Sequence, residues 1–244
     1  MNLGTKNREM QKVFRLIPYK QKIFQKDGKP FGVEILARGI NKNGKVISPL
    51  FIFKHLRTQN NSKYIRLIKA FYGKVFYFVI PQINTNVFIN LNLGDLHNVN
   101  FIKFFEKALR VLKNKGLTNR IYIEITEDFI DEEGIKRIQA LKEKYKFKIA
   151  LDDFGTGMSN IDTIMNLKPD IIKLDRSFVK MKDNSFFVSL LDAICTLDCP
   201  FVVEGIEEFE DYKFFKEKKV NFYQGFLLSK PSPFLYKKKK RRLK

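Results

Sequence analysis

Short runs of β-branched and aromatic residues recur along this chain, and most of them close on a polar side chain. The runs fall at 13–17, 31–36, 88–91, 121–125, 148–151, 171–174, 201–203 and 222–225. Longer amphipathic stretches separate them, among them 101–115, 134–145 and 185–195. In the first of these, Phe101, Phe104, Phe105, Ala108, Leu109 and Leu112 fall at i, i+3, i+4 spacing, the mark of one buried helical stripe, and Gly116 follows at a helix end. Strands alternating with helices predict βα units around a parallel sheet. About eight strands in this length predict an α/β protein of one domain, a closed TIM-like (β/α)8 barrel over residues 11–236. An open doubly wound sheet would call for a Gly-rich phosphate turn. No GxGxxG follows a strand, and Gly155-Thr156-Gly157 is too short to serve. The closing residues are Asn90, Glu124, Asp152 with Asp153, Lys173 with Asp175, Glu204 and Gln224, at intervals of 20 to 34 residues. Each interval is about one strand–helix–strand step, and in a barrel such strand ends converge on one face.

Composition removes several other classes. A chain of 244 residues can bury roughly three quarters of its unfolded surface and needs no staples. Twenty-five Phe and 9 Tyr argue against disorder, and 13 Gly with 8 Pro exclude collagen-like or low-complexity chains. Cys195 and Cys199 supply neither a disulfide framework nor a structural zinc site and read as buried free thiols. His55 and His97 stand alone and offer no histidine metal cluster. The polar N-terminus, residues 1–10, reads as an arm without a signal peptide's apolar core, and no run approaches a membrane span, so a cytoplasmic location is expected. The net charge of +20 suggests an anionic partner. Abundant Lys, Asn, Ile and Phe together also point to a compositional bias that would charge any soluble protein this way. Residues 237–244, KKKKRRLK, hold seven bases and no acid. They read as a disordered tail, with contact to anionic lipid or nucleic acid as the functional alternative.

With Glu34, the strand-end set contains five carboxylates (Glu34, Glu124, Asp152, Asp153, Glu204) and Asn90, with Lys173 beside them. Converging carboxylates repel one another and need compensating charge. An oxygen-rich set of this kind suits hard divalent cations such as Mg2+ or Mn2+. Adjacent Asp152 and Asp153 can serve two ions if the chain bends sharply after them, which Gly155 and Gly157 allow. Two ions can activate a water and stabilise the charge that develops in phosphodiester hydrolysis. Lys173 can hold the attacking water or neutralise that charge. Surface salt bridges with the plentiful lysines compete for any one acid, but explain the set poorly, because a lone charge beside an apolar run is costly.

The ordered motifs Glu34-Ile35-Leu36-Ala37-Arg38, Phe88-Ile-Asn90-Leu-Asn92, Glu124-Ile-Thr-Glu127, Asp152-Asp153-Phe-Gly-Thr-Gly-Met-Ser-Asn160, Ile172-Lys173-Leu-Asp175, Glu204-Gly-Ile-Glu207 and Gln224-Gly-Phe-Leu run through nearly the whole chain. In order and spacing the sequence resembles the EAL-domain phosphodiesterases, which cleave the bacterial second messenger cyclic di-GMP. The resemblance implies a barrel in which Glu34, Asn90, Glu124 and Asp152 ligate a first metal ion. Asp152 would bridge to a second ion, shared with Asp153 and Glu204. Lys173 would contact the catalytic water, Arg38 a substrate phosphate, and Gln224, Asp175 and Gln21 would help bind substrate. Glu127 would anchor the loop after Asp153, which couples the site to a dimer interface in the family. The product would be linear pGpG. The sequence departs from the family pattern at Ile35, in place of alanine, where a branched side chain can crowd the pocket. It departs also at Gly39, in place of tryptophan, and at Lys22, Met158 and Asn160. Two other readings remain open at this point: a non-hydrolytic cyclic di-GMP receptor, and a nucleic-acid or anionic-surface module acting through the tail.

Overall fold

The computed structural model describes residues 13–41, 43–47, 61–126, 131–155 and 161–235. The N-terminal arm, His55, Glu127, Gly157, Met158, Asn160 and the basic tail therefore lie outside the described residues.

A hairpin comes first. Strand β1 (Val13–Gln25) turns back through Gly28, at φ 80°, into β2 (Pro30–Asn41). The two pair antiparallel, with Gln21 opposite Glu34. The turn is closed by Gly28 N–H donating to Gln25 O and Gln25 N–H donating to Lys29 O. A connection this short cannot carry a crossover helix, so the pair must be antiparallel. The short β3 (Val46–Ile47) edges β2. Helix α1 (Asn61–Lys74) continues through a π-helical turn at Val75–Val79 and a 3-10 turn at Ile80–Gln82 into β4 (Asn86–Leu91). Then come α2 (Val99–Asn114), β5 (Ile121–Ile125), α3 (Glu132–Tyr145), β6 (Lys148–Phe154), α4 (Ile161–Leu167), β7 (Ile171–Leu174), α5 (Ser177–Lys180), α6 (Ser185–Ile194), β8 (Phe201–Val203), α7 (Phe209–Glu217), β9 (Phe222–Tyr223) and β10 (Ser232–Pro233).

The sheet runs β10-β1-β9-β8-β7-β6-β5-β4-β2-β3, and the β1–β2 pairing closes β1, β2 and β4–β9 into an eight-stranded barrel. From β2 round to β9 the pairs are parallel, as the sequence predicts. The expected all-parallel barrel is corrected at β1, which is antiparallel to both β2 and β9. Its predicted span, 13–17, is also too short. The strand continues through Pro18, whose missing N–H is tolerated and whose carbonyl accepts from Phe234 N–H at the edge.

Alternation along the strands builds two layers inside the barrel. The lower one is apolar: Ile23, Phe88, Tyr122, Ala150, Ile171 and Val202 form one buried cluster, with Phe31 and Phe222 packed against it. Phe88 stacks on Tyr122 at 4.4 Å between centroids and Phe31 on Phe222 at 3.7 Å. Gly32 makes room, because a Cβ there would sit 2.9 Å from the Phe88 ring. Two residues further along each strand lies a polar layer, described below. On the antiparallel β1 that step runs backwards, from Ile23 to Gln21.

The outer faces of the strands pack on the helices in a second, larger core. Helix α2 buries Phe101, Phe105, Ala108, Leu109 and Leu112, is capped by Asn98, and ends at Gly116 with φ 66°. Helix α3 is capped by Asp131, which accepts from Gly134 N–H, and stops at Lys146 in the left-handed region. Cys195 is buried and Cys199 half-buried; both are free, and burial pushes each thiol up to about 11. Among the described residues, no helix is long and apolar enough to cross a membrane.

Candidate active site

The polar layer draws one side chain from every barrel strand or the residue that closes it: Gln21, Glu34, Asn90, Glu124, Asp152, Lys173, Glu204 and Gln224. Glu34 reaches the layer from the middle of β2, not from a strand end as its grouping with the other acids supposed, because the hairpin extends past the barrel rim. Gln21 reaches it from within β1, past the predicted run, and the other six follow the predicted strand ends.

Lys173 stands at the centre, 1% exposed. Its Nζ lies 2.6 Å from Glu124 Oε1, 2.6 Å from Glu204 Oε1, 2.7 Å from Asp152 Oδ1 and 3.7 Å from Glu34 Oε2. Asn90 bridges two of these acids, its Nδ2 donating to Glu34 Oε1 at 3.1 Å and to Glu124 Oε2 at 2.9 Å. Gln224 Nε2 donates to the second Glu34 oxygen at 2.6 Å. Gln21, opposite Glu34 in register, is buried and donates to Ser229 O at 2.9 Å, tying the hairpin to the segment after β9. The apolar floor keeps water from below, so these charges act in a weakly screened space.

The second half of the site is made by two backbone bends. Asp153 itself adopts φ 54°, a left-handed conformation rare for a non-glycine residue, and Gly155 follows at φ 103°. The bend predicted from the glycines therefore begins one residue after Asp152, which turns Asp153 back toward the first acid. Gly205, at φ 73°, does the same after Glu204. One carboxylate oxygen from each of Asp152, Asp153 and Glu204 lies within 4.8 Å of the others.

Burial and the neighbouring charges shift the protonation of Glu124, Glu204, Asp153 and Lys173. Burial, with repulsion from Glu34, raises Glu124 well above the carboxylate range against the pull of Lys173. Burial pushes Glu204 up to about 8, opposed by Lys173 and aided by Asp152 and Glu34. Burial and Asp152 push Asp153 up to about 6. Burial alone would lower Lys173, but attraction to Asp152, Glu124, Glu204 and Glu34 holds it well above its ordinary value. Lys173 is thus a fixed cation and a donor. One ammonium does not satisfy the set. Glu124 Oε1 and Asp152 Oδ1 are buried within ion-pair range of Lys173 yet outside hydrogen-bond geometry, and Gln224 Oε1 has no hydrogen-bond partner among the described residues. Buried hard oxygen donors in excess of the available positive charge fit divalent cations.

The remaining candidates lie around this centre. Arg38 alternates onto the Glu34 face of β2, about 13 Å further along the strand. It donates to Ala37 O at 2.8 Å and lies 5.7 Å from the Tyr19 ring. Asp175 accepts from Ser177 N–H at 2.8 Å, which fixes the turn after β7 and adds to the repulsion on Asp153. Ile35, 1% exposed, belongs to the helix-side core. The expectation that it can crowd the pocket is therefore corrected: β-alternation sends it away from Glu34. Sequence reasoning missed the contacts that hold the bends, above all Phe178 against Gly155 and Arg176 against Gly205. Two clefts of about 220 and 320 Å3 elsewhere on the surface contain none of the polar layer.

Comparison with known proteins agrees with this architecture. Cyclic di-GMP phosphodiesterase PdeA of Borreliella burgdorferi is 30% identical over 233 residues, covering 88% of this chain and 33% of that protein. The chain spans less than half the length of the curated relatives it matches. Among solved structures, an EAL domain protein from Listeria monocytogenes superposes with TM-score 0.77 at 23% identity, covering 96% of this chain and 94% of that one. Klebsiella pneumoniae BlrP1, in a complex with manganese and cyclic di-GMP, superposes with TM-score 0.73 at 23% identity, covering 89% and 56%. These structures share the barrel. The EAL domain model itself matches residues 8–231, a span that contains every strand of the barrel and every residue of the polar layer, and the chain belongs to the EAL domain family.

Proposed function

We propose that this chain hydrolyses one phosphodiester bond of cyclic di-GMP to give linear pGpG, using two divalent cations, Mg2+ or Mn2+. The observation that carries the reading is the complete polar layer. Four carboxylates surround one lysine, a fifth, Asp153, stands on the adjoining bend, and buried oxygens are left over for cations. The names of PdeA and of the BlrP1 complex supply the substrate and, for BlrP1, manganese.

Glu34, Asn90, Glu124 and Asp152 would hold the first ion, and Asp152, Asp153 and Glu204 the second. Cations held there would supply Lewis acidity, polarising a phosphoryl oxygen and making a bound water acidic near neutral pH. Asn90 and Gln224 fix Glu34 by hydrogen bonds to both of its oxygens, so its orientation does not depend on the ligand. Lys173, protonated throughout the working pH range, would donate to the attacking water and then to a phosphoryl oxygen on which negative charge grows. The new bond joins the water oxygen to phosphorus while the ribose oxygen on the far side leaves. Glu204, with Asp153 next to it, would accept the water's proton, and the departing ribose oxygen would take a proton from solvent. Arg38 meets the second phosphate further out along β2, and Gln21 and Asp175 keep the hairpin and the β7 turn in place around the substrate. The apolar floor beneath the layer excludes competing water. Purified protein incubated with cyclic di-GMP and either metal should accumulate pGpG. Tight binding without product under both metals would instead establish a receptor.

A further inference from the structure

The Asp153 and Glu204 carboxylates sit on two separate left-handed bends, and one short segment packs against both. A Cβ at Gly155 would lie 2.3 Å from the Phe178 ring, and a Cβ at Gly205 would lie 2.4 Å from Arg176 Cβ. The segment 175–178 follows β7, and β7 lies between β6 and β8 in the barrel, so the turn is placed between the two bends by topology. Backbone bonds hold it there. Asp175 N–H donates to Phe154 O at 3.1 Å, Glu204 N–H to Leu174 O at 3.0 Å, and Ser177 N–H to the Asp175 carboxylate at 2.8 Å. Phe178 is 2% exposed and is backed by Phe187, whose ring centroid lies 4.6 Å away. Close-packed groups of this kind transmit displacement and do not absorb it.

We infer that Phe178 is a positioning residue for the second cation: its ring, wedged against Gly155, fixes how far the Asp153 carboxylate stands from Glu204. The inference rests on the metal-dependent reading above. Of the first cation's ligands, Glu34, Asn90 and Glu124 are carried by β2, β4 and β5, away from the turn, and Asp152 lies on β6 before the left-handed bend begins at Asp153, so removing the ring should disturb them less than Asp153. Truncating Phe178 leaves a void beside Gly155, the strained bend relaxes into it, and Asp153 swings off the shared position.

Manganese binding to the purified chain, followed by calorimetry and by Mn2+ paramagnetic resonance, tests this without reference to turnover. Wild-type protein should take up two Mn2+. In Phe178→Ala one of the two should weaken by about tenfold or more, with the other unchanged. Phe178→Leu, which refills part of the space without the ring's contact on Gly155, should weaken the same ion by more than about twofold but by less than the alanine variant, and decides the matter if the alanine variant does not fold. Phe105→Ala removes an equally buried ring from α2, far from the bends, and should lower thermal stability while leaving both affinities alone. Two Mn2+ bound within about twofold of wild type in both Phe178 variants would overturn the inference and leave the metal reading intact. Equal weakening in Phe105→Ala would also overturn it. A wild-type chain that takes up no second Mn2+ would overturn the metal reading, and the inference with it.

Discussion

Lys173→Met removes the charge at the centre of the polar layer while keeping most of the side chain's volume. In metal-free protein it leaves Glu124, Asp152 and Glu204 without a cation that now sits 2.6 to 2.7 Å from each. Removing one partner from a buried ion pair costs about 3–5 kcal/mol, and in a chain of this size each kcal/mol moves the melting temperature by about 2–4 °C. The expected loss is therefore roughly 6–20 °C at pH 8 in EDTA. The pH dependence follows from the direction of the carboxylate shifts. A carboxyl whose pKa is raised by folding holds its proton to higher pH in the folded state. The folded state is then penalised as pH rises from the ordinary value to the raised one. For Glu204 that window runs from 4.5 to about 8 and for Asp153 from 3.8 to about 6. Lys173 limits the penalty, so the gap between wild type and variant should be widest at pH 8 and narrow toward pH 5, where protonated acids need no counter-charge. Circular-dichroism melts at both pH values read this directly. A variant within about 2 °C of wild type at pH 8 would refute the claim that Lys173 neutralises the layer.

Other outcomes follow from the same geometry. Glu34→Ala removes the acid that Asn90 and Gln224 hold, and should abolish pGpG formation while the chain still folds; an unchanged rate refutes its assigned role. Gly155→Ala places a Cβ against Phe178 at a φ that side chains rarely adopt, and should cost about 1–3 kcal/mol by chemical denaturation. Gly225→Ala puts a Cβ 1.9 Å from Ile206 O, so the chain must shift beside Gln224; turnover should fall more steeply than thermal stability. Mn2+ at 100 times its pH 8 dissociation constant should stabilise the chain by about 2.7 kcal/mol at pH 8, and the same concentration by less at pH 5, where Glu204 and Asp153 hold protons.

Much of the site was legible because parallel strands buried on both faces leave few places for a charge. A carboxylate ending an apolar run, as Glu124 does, must face the barrel axis, and the step from one such residue to the next is set by helix length. Antiparallel β1 was not legible in the same way. Its residues 18–25, PYKQKIFQ, alternate between the barrel interior and a surface edge, and Pro18 reads as a terminator although its edge position tolerates it. Gln21 joins the layer from that strand, a placement that needs the hairpin register and not a local pattern. The motif residue Ile35 illustrates the converse. Sequence places it beside Glu34 and suggests contact with substrate, while alternation sends it to the helix-side core. The Phe178 and Arg176 contacts were invisible for a different reason. They depend on the bends after β6 and β8 meeting the turn after β7, and no spacing in the chain encodes that meeting.

The central claim is that the polar layer is a site for two cations sharing Asp152. Anomalous diffraction at the manganese edge, from crystals grown with Mn2+ and cyclic di-GMP, examines it most directly. Two anomalous peaks on either side of the Asp152 carboxylate are expected, one among Glu34, Asn90 and Glu124 and one between Asp153 and Glu204. A single peak, or none within reach of Asp152, would contradict it.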